Sequence, residues 1–273
     1  MDEPVNLYDS HYDRVEAEVY RAIRREAYGE DLGQTSWITA EEASRFCDWL
    51  GLRAGHRLLE VACGSGGVAA WIAETTGAHV VGIDVNVHAI EAARRRSPSR
   101  PSQANTEFQV VDADAALPFG DASFDAVFCN DAILHLRDRL AVLGEWRRIL
   151  RAGGRCLYTD PVVVTGLVSK DELAARSSIG FFTFSAPGVN ERLLAQAGFS
   201  VARSVDLTEA IVRTSRRWRD ARQARCAELV GLEGNATFEG LQHFLGAVHT
   251  LAAEGRLSRV AFVGERGDDA RAG

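Results

Sequence analysis

The sequence predicts an α/β chain built on a doubly wound, seven-stranded, mostly parallel sheet, and two observations carry that prediction. From Arg57 onward short β-rich runs alternate strictly with helical stretches, the pattern of parallel βαβ units. The first of those runs, Leu58-Leu59-Glu60-Val61, passes straight into Ala62-Cys63-Gly64-Ser65-Gly66-Gly67 and then a helix, so the backbone there turns sharply or passes close to a ligand. Composition agrees: 273 residues, 46% apolar and 25% charged, suit one folded domain with an elaboration. A net charge of −7 argues against a nucleic-acid or anionic-membrane surface, which needs a concentrated basic face, and points to a small-molecule partner.

Residues 1–55 read as helical: a polar stretch around residues 11–26, a loop at 33–38, and a helix opened by Thr39. Thr39 with Glu42 three residues on forms a capping box, and Phe46, Trp49 and Leu50 give the helix an apolar face. Strands are then expected at 57–62, 80–83, 108–111, 124–129, 155–159, 199–205 and 257–263, with helices from Gly67, over 87–96, 136–150 and 189–197. The domain reading is an N-terminal helical cover over 1–55, a sheet domain over 56–265 and a frayed tail at 266–273. Within the sheet domain, the irregular segment of about 161–187 and the helical span of about 208–254 exceed what the sheet needs and are read as a cover over the acceptor. The Pro/Ser-rich stretch at 97–102 reads as a surface loop.

Five cysteines, Cys47, Cys63, Cys129, Cys156 and Cys226, lie largely in apolar runs and lack metal-ligand spacing, which suits reduced core residues and no metal. Met1-Asp2-Glu3 has neither the basic nor the apolar region of a secretory signal, so a cytoplasmic location is expected.

The glycine loop admits two ligand classes. Gly64, Gly66 and Ala69 satisfy a dinucleotide-type spacing, and Asp84 ends the next strand where a ribose contact would fall. On the glycines alone NAD stays open. Glu60, four residues before the first glycine, suits a ligand carrying an ammonium or sulfonium better than a pyrophosphate, which wants backbone amides free of that charge.

With these residues in view the chain resembles the class I S-adenosylmethionine (SAM)-dependent methyltransferases, in particular bacterial small-molecule enzymes related to the sarcosine/dimethylglycine, sugar O- and tocopherol or sterol methyltransferases. The resemblance spans most of the chain. It rests on Glu60-Val61-Ala62-Cys63-Gly64-Ser65-Gly66-Gly67, Val81-Gly82-Ile83-Asp84, Asp112-Ala113 with Leu117-Pro118-Phe119, Ser123-Phe124-Asp125-Ala126-Val127 and Arg151-Ala152-Gly153-Gly154. It implies a Rossmann-like sheet and SAM as cofactor, with S-adenosylhomocysteine (SAH) as product. It further implies that Glu60 with Gly64, Ser65 and Gly66 holds the methionine ammonium end. Asp84 would take the ribose hydroxyls, Asp112 and the Ala113 amide the adenine edge, and Asn130 a place beside the methionine part. Helices before the first strand would close the site, with Gln34 and Trp37 over the cofactor and Tyr8 and Tyr12 toward the acceptor; an aromatic face attracts a sulfonium.

Several of these residues keep a second reading. Asp84 is also a suitable N-cap for the following helix, and Trp37 can staple the next helix to the core. Asp114 and Asp121 read as turn or surface residues, Asp125 as a structural strand-edge residue, and Cys63 as a small core side chain. Because a sulfonium methyl is already reactive, the protein has to position a nucleophile, exclude water and manage one proton. His135, in the segment after the fourth strand, is the candidate for that proton, with packing beneath the cofactor as its alternative. The remaining histidines read as surface or packing residues. Phe181, Phe182 and Phe184 suggest an apolar or aromatic acceptor, or else a satellite core. The expected activity is therefore methyl transfer to an N, O or C nucleophile of a small metabolite. Its rivals are an enzyme of the same fold that cyclises SAM or keeps it as a scaffold, and a nucleotide-binding oxidoreductase or non-catalytic module.

Overall fold

A computed structural model describes Tyr12, residues 14–96 and residues 105–267. Seven strands form its frame: β1 (Arg57–Val61), β2 (His79–Asp84), β3 (Thr106–Val110), β4 (Phe124–Cys129), β5 (Leu150–Val164), β6 (Phe199–Asp206) and β7 (Leu257–Arg266). They lie in the order β3-β2-β1-β4-β5-β7-β6, with β7 antiparallel to both neighbours and the other pairings parallel. This is the doubly wound, mostly parallel sheet that the alternation predicts. The order reverses between β2-β1 and β4-β5, so the carboxyl ends of β1 and β4 flank a crevice where open α/β sheets bind ligands.

The sheet is buried on both faces because its strands alternate between two cores. Leu58, Val80, Phe128 and Leu157 pack with α2 (Ala40–Leu50), α3 (Gly67–Thr76) and α4 (Val87–Arg96). Leu59, Val81, Val127 and Tyr158 pack with α5 (Arg139–Ile149) and α7 (Val189–Gln196). The cysteines are free thiols, four of them buried. Ahead of the sheet, α1 (Glu18–Tyr28) leads into α2, whose N-terminus carries both bonds of the Thr39–Glu42 capping box.

Several boundaries differ from the sequence reading, each for a local reason. The helix expected from residue 136 begins only at Arg139, capped by Asp138 Oδ1 on the Ala141 amide, after a 3₁₀ turn Ile133–His135. Strand β5 runs past Asp160-Pro161 to Val164, because Val163 and Val164 pair with Ser258 and Leu257. The segment after it holds a short helix, α6 (Lys170–Arg176), opened by a second capping box between Ser169 and Glu172. Strand β7 takes in Arg266, the first residue assigned to the tail, whose guanidinium donates to the carbonyls of Arg147 and Leu150. The span after β6 is three helices, α8 (Thr208–Gln223), α9 (Cys226–Glu233) and α10 (Asn235–Ala253). These pack with α1 in apolar clusters separate from the sheet's own cores. No described helix is long and apolar enough to cross a membrane.

Candidate active site

A cavity of about 570 Å³ opens at the carboxyl edge of the sheet, within the range of small-molecule sites. Its floor comes from the ends of β1, β2 and β4; its other wall comes from the residues around α1, from α6 and the segment after it, and from α8 to α10.

The glycine loop owes its shape to close approaches. Ala62 and Gly64 take left-handed φ values of 57° and 54°, turning the chain out of β1. A Cβ on Gly67 would lie 1.7 Å from the carbonyl oxygen of Leu32, so the loop before α2 crosses directly over the start of α3. Ser65 fixes the same crossing by donating to the Gly33 carbonyl at 3.0 Å. Gly66 stands apart: it does not line the cavity, and a side chain there would strike Phe108 and Ala93 at 2.6–2.7 Å. It lets α3 pack onto the sheet.

Two carboxylates meet at this loop. Asp84 accepts from the Gly64 amide at 2.9 Å through one oxygen and from the Asn86 amide at 2.9 Å through the other. The cap of α4 is Asn86, whose Oδ1 accepts from the Ala89 amide at 3.1 Å, so Asp84 is not the residue that caps that helix. Burial raises its pKa against the pull of those backbone bonds. Glu60 is 4% exposed, and its Oε2 is buried with no hydrogen-bond partner among the described residues. Burial, then the neighbouring charge of Asp84, push the Glu60 carboxyl up to about 8. A buried carboxylate oxygen at a cavity wall is the feature that a cationic group would satisfy. The same burial, reinforced by Glu60 and Asp84, pushes the Cys63 thiol up, which makes it a poor nucleophile.

Further along the floor, Asp112 is exposed at the rim and closes a turn by accepting from the Asp114 amide at 2.9 Å. Ala113 and Asp114 also line the cavity, and Asp114, an exposed turn residue as expected, accepts from the Arg137 amide at 2.8 Å. Asp125 accepts from the Arg57 amide at 2.7 Å and from Arg151, a strand-edge tie. Val85, 68% exposed, and Val111 add an apolar rim beside Asp84 that the motif reading passed over.

Asn130 faces the cavity but is heavily engaged: its amide donates to Ser36 Oγ at 2.6 Å, and its oxygen accepts from Thr159 and Arg259. It belongs to a buried network. Arg259, with no exposed surface, donates to both Glu42 oxygens at 2.8 and 3.0 Å and to both Asp131 oxygens at 2.7 and 3.1 Å. Asp131 also accepts from the Trp37 amide at 3.0 Å and holds a left-handed φ of 53°. One arginine thus ties β7, α2, the loop after β4 and the loop carrying Trp37 into a single unit.

His135 sits on the 3₁₀ turn with its Nδ1 2.8 Å from the Phe181 carbonyl, which can only accept, so Nδ1 carries a proton. Burial is the main cause that holds its pKa below the usual value, with the charge of Arg176 adding to it. The imidazole packs edge-to-face on Phe182 at 4.9 Å. A second buried cluster sets this segment: Asp160, with no exposed surface, accepts from Arg139 at 2.7 Å, Ser185 at 2.7 Å and Asn190 at 2.9 Å, while Arg139 also donates to the Thr183 carbonyl. Phe181 and Phe182 line the cavity; Phe184 does not, and packs on Phe182 at 6.4 Å.

The opposite wall is aromatic. Tyr12 lines the cavity with its hydroxyl over Gly64. Trp37 lies edge-on to Trp218 at 5.6 Å and stacks with Phe244 at 6.5 Å, so it both faces the cavity and staples the cover. Gln34 lines the cavity too, but its side chain is spent on the backbone of Leu32, Glu30 and Ile38. Tyr8 lies outside the described residues. Motif reading missed Trp218, Phe244, Arg176 and Asp131, which carry no local pattern. No group of three or more metal-ligating side chains is poised to hold an ion among the described residues.

Residues 59–158 match the family described as a methyltransferase domain. The chain is 36% identical over 166 residues to the methyltransferase GfsG of Streptomyces halstedii, covering 59% of this chain and 58% of that one. It is 31% identical over 218 residues to an O-methyltransferase of Pyrenophora dematioidea, covering 75% of this chain and 78% of the relative. In fold it is similar to the Haemonchus contortus phosphoethanolamine N-methyltransferase 2 solved with phosphomonomethylethanolamine and SAH, with a TM-score of 0.79 at 19% identity over 97% of this chain and 61% of that one. The match thus spans less than two thirds of GfsG and of the nematode enzyme. With the glycine loop, the sheet order and the relative matched along three quarters of its length taken together, this chain belongs to the class I SAM-dependent methyltransferases.

Proposed function

We propose that this chain methylates an oxygen nucleophile of a small, apolar or ring-bearing metabolite, with His135 receiving the acceptor's proton. The observation that carries the reading is the division of one cavity into a carboxylate floor and an aromatic, arginine-bearing cover, with His135 among the residues that line it. SAM, when bound, supplies a sulfonium methyl group.

On the floor, the buried Glu60 oxygen suits the ammonium of the methionine end, and Asp84, held by the Gly64 and Asn86 amides, suits the two ribose hydroxyls. Asp112 with the Ala113 amide, beside Val85 and Val111, offers a polar edge and an apolar face of the kind an adenine ring needs. Asn130 stands toward the methionine part, fixed by the Arg259 network.

On the acceptor side, a neutral His135 is fit to accept a proton at neutral pH, because burial disfavours its charged form. Tyr12, Trp37, Phe182, Trp218 and Phe244 exclude water. Oxygen is favoured over an amine because a hydroxyl has to give up its proton to become a strong nucleophile, the task assigned to His135, whereas a neutral amine already carries its lone pair. The O-methyltransferase relative supports the same choice.

The test has two parts. Equilibrium titration of the intact chain should give saturable SAM and SAH binding and no NAD binding; the reverse would return the glycine loop to a dinucleotide. SAH formation from SAM should then be followed with phenols, enols and amines of matched ring size. Turnover confined to hydroxyl acceptors is expected, and turnover confined to amines would overturn the oxygen assignment.

A further inference from the structure

The carbonyl that takes the Nδ1 proton of His135 belongs to Phe181, which lies between α6 and α7, outside every helix and strand. A base is aimed by the group that orients it, so whatever holds Phe181 sets the ring of His135. Two residues on, Thr183 is gripped from both sides: its amide donates to the Leu134 carbonyl at 2.8 Å, and its carbonyl accepts from Arg139 Nη2 at 2.8 Å. Leu134 directly precedes His135 on the 3₁₀ turn, and Arg139 opens α5 just after it. Ser185 fixes the far end of the segment. Its hydroxyl donates to Asp160 Oδ2 at 2.7 Å, its amide to the Val162 carbonyl at 3.3 Å, and its carbonyl takes the Val164 amide at 2.8 Å.

Arg139 and Asp160 join these contacts into one cluster. Arg139 Nη1 donates to Asp160 Oδ2 at 2.7 Å and to Asn190 Oδ1 at 2.9 Å, while Nη2 reaches Thr183. Asp160 also receives the Asn190 side-chain amide at 2.9 Å on Oδ2 and the Val162 amide at 3.1 Å on Oδ1. Arg139, Asp160, Ser185 and Asn190 are all buried, and neither member of the ion pair lines the cavity. A buried ion pair is a weak source of stability, because desolvation offsets much of its attraction, and packed apolar residues would serve as well. Apolar residues could not hold a carbonyl. The planar guanidinium has separate arms for the Asp160 carboxylate and the Thr183 carbonyl, so it ties the end of β5 to the segment that carries Phe181. A carbonyl fixed in this way keeps the imidazole in one orientation with a proton on Nδ1.

We infer that Arg139 and Asp160 are positioning residues for the reaction: through Thr183 and Ser185 they hold the Phe181 carbonyl against His135 Nδ1, and so fix the tautomer and orientation of that ring. The inference rests on the reading of His135 as the proton acceptor.

Nitrogen-15 NMR of the full chain, with ring-labelled histidine and His135→Gln to assign the signals, reads the tautomer at about pH 8, where a histidine ring is neutral. The wild-type ring should be confined to the Nδ1–H form. Arg139→Lys keeps the buried charge beside Asp160 and loses the second arm, so a mixture of the two tautomers is expected, with kcat about tenfold or more lower and SAH affinity unchanged. A merely structural role would lower stability and leave the tautomer of the folded variant where it is. If Arg139→Lys does not fold, Ser185→Ala decides, since it removes one hydroxyl from Asp160 and leaves the ion pair in place. An Nε2–H ring in the wild-type chain, or an undisturbed Nδ1–H ring in the deciding variant, overturns the inference. A tautomer that shifts as expected with turnover untouched upholds the positioning and strikes instead at His135 as the proton acceptor.

Discussion

The floor and the cover of the cavity are built on opposite principles. The floor is made of strand ends, where Glu60 precedes the glycine loop on β1 and Asp84 is held by the Gly64 amide of that loop. The cover is made of helices from both ends of the chain, and it is joined to the floor by a few buried contacts that span long sequence separations: Arg259 to Glu42 and Asp131, Ser65 to Gly33, and Gly67 beneath Leu32. The lesson is that the same cavity has a locally encoded half and a half encoded only by the tertiary fold. Substitutions in the first should change what is bound, and those in the second whether the two halves meet.

The largest effect is expected at the boundary. His135→Gln should lower kcat by about 10²–10⁴-fold, the usual worth of a positioned base, with SAM affinity within a few-fold of wild type. Stopped turnover with matched cofactor titrations checks this; a variant that keeps its turnover reassigns His135 to packing against Phe182.

Next comes the joint between the halves. Arg259→Met leaves Glu42 and Asp131 buried without their counter-charge and should cost about 3–5 kcal/mol of stability. Denaturant unfolding reads the loss directly, and a change under about 1 kcal/mol would show that the network is not what ties cover to floor.

Within the floor, Asp84→Ala should weaken SAM binding by about tenfold or more, near 1.4 kcal/mol, by removing both ribose acceptors and the anchor of the Gly64 amide. Calorimetric titration decides, and unchanged affinity removes Asp84 from the ribose assignment.

The other carboxyl of the floor carries a pH dependence. Glu60 is pushed up to about 8 by burial and Asp84, against about 4.5 for an exposed carboxyl. A carboxyl with a raised folded-state pKa adds stability that is complete below its unfolded value and lost as pH rises through its folded one. The ligand-free chain should therefore lose stability between about pH 4.5 and pH 8. A cationic ligand needs the ionised form, so SAH affinity should rise from about pH 6 to pH 8, and Glu60→Gln should flatten that rise.

How much of this was legible follows the same divide. The strand-glycine-helix turn, the acid ending β2 and the Thr39–Glu42 capping box all lie within a few residues of the pattern that reveals them, and the sheet follows from alternation alone. Even there the roles of single glycines were not legible: Gly66 clears Phe108 and Gly67 clears the Leu32 carbonyl, distinctions set by chain segments distant in sequence. Asp131 carried no signal of its own because its partner Arg259 is 128 residues away. Trp218 and Phe244 sit in helices whose spacing says only that one face is buried, and Arg176 lies in a segment that reads as irregular, so nothing local marks them as facing a cavity.

The central claim is that the carboxylate floor holds the cofactor and the aromatic, arginine-bearing cover faces the acceptor. A crystal structure of the intact chain with SAH tests it most directly. It should place the ammonium within hydrogen-bond reach of Glu60, the ribose hydroxyls on Asp84, and the sulfur facing the space between His135 and Phe182. SAH lying with its ribose or ammonium against the cover, or its sulfur turned away from His135, would contradict the claim.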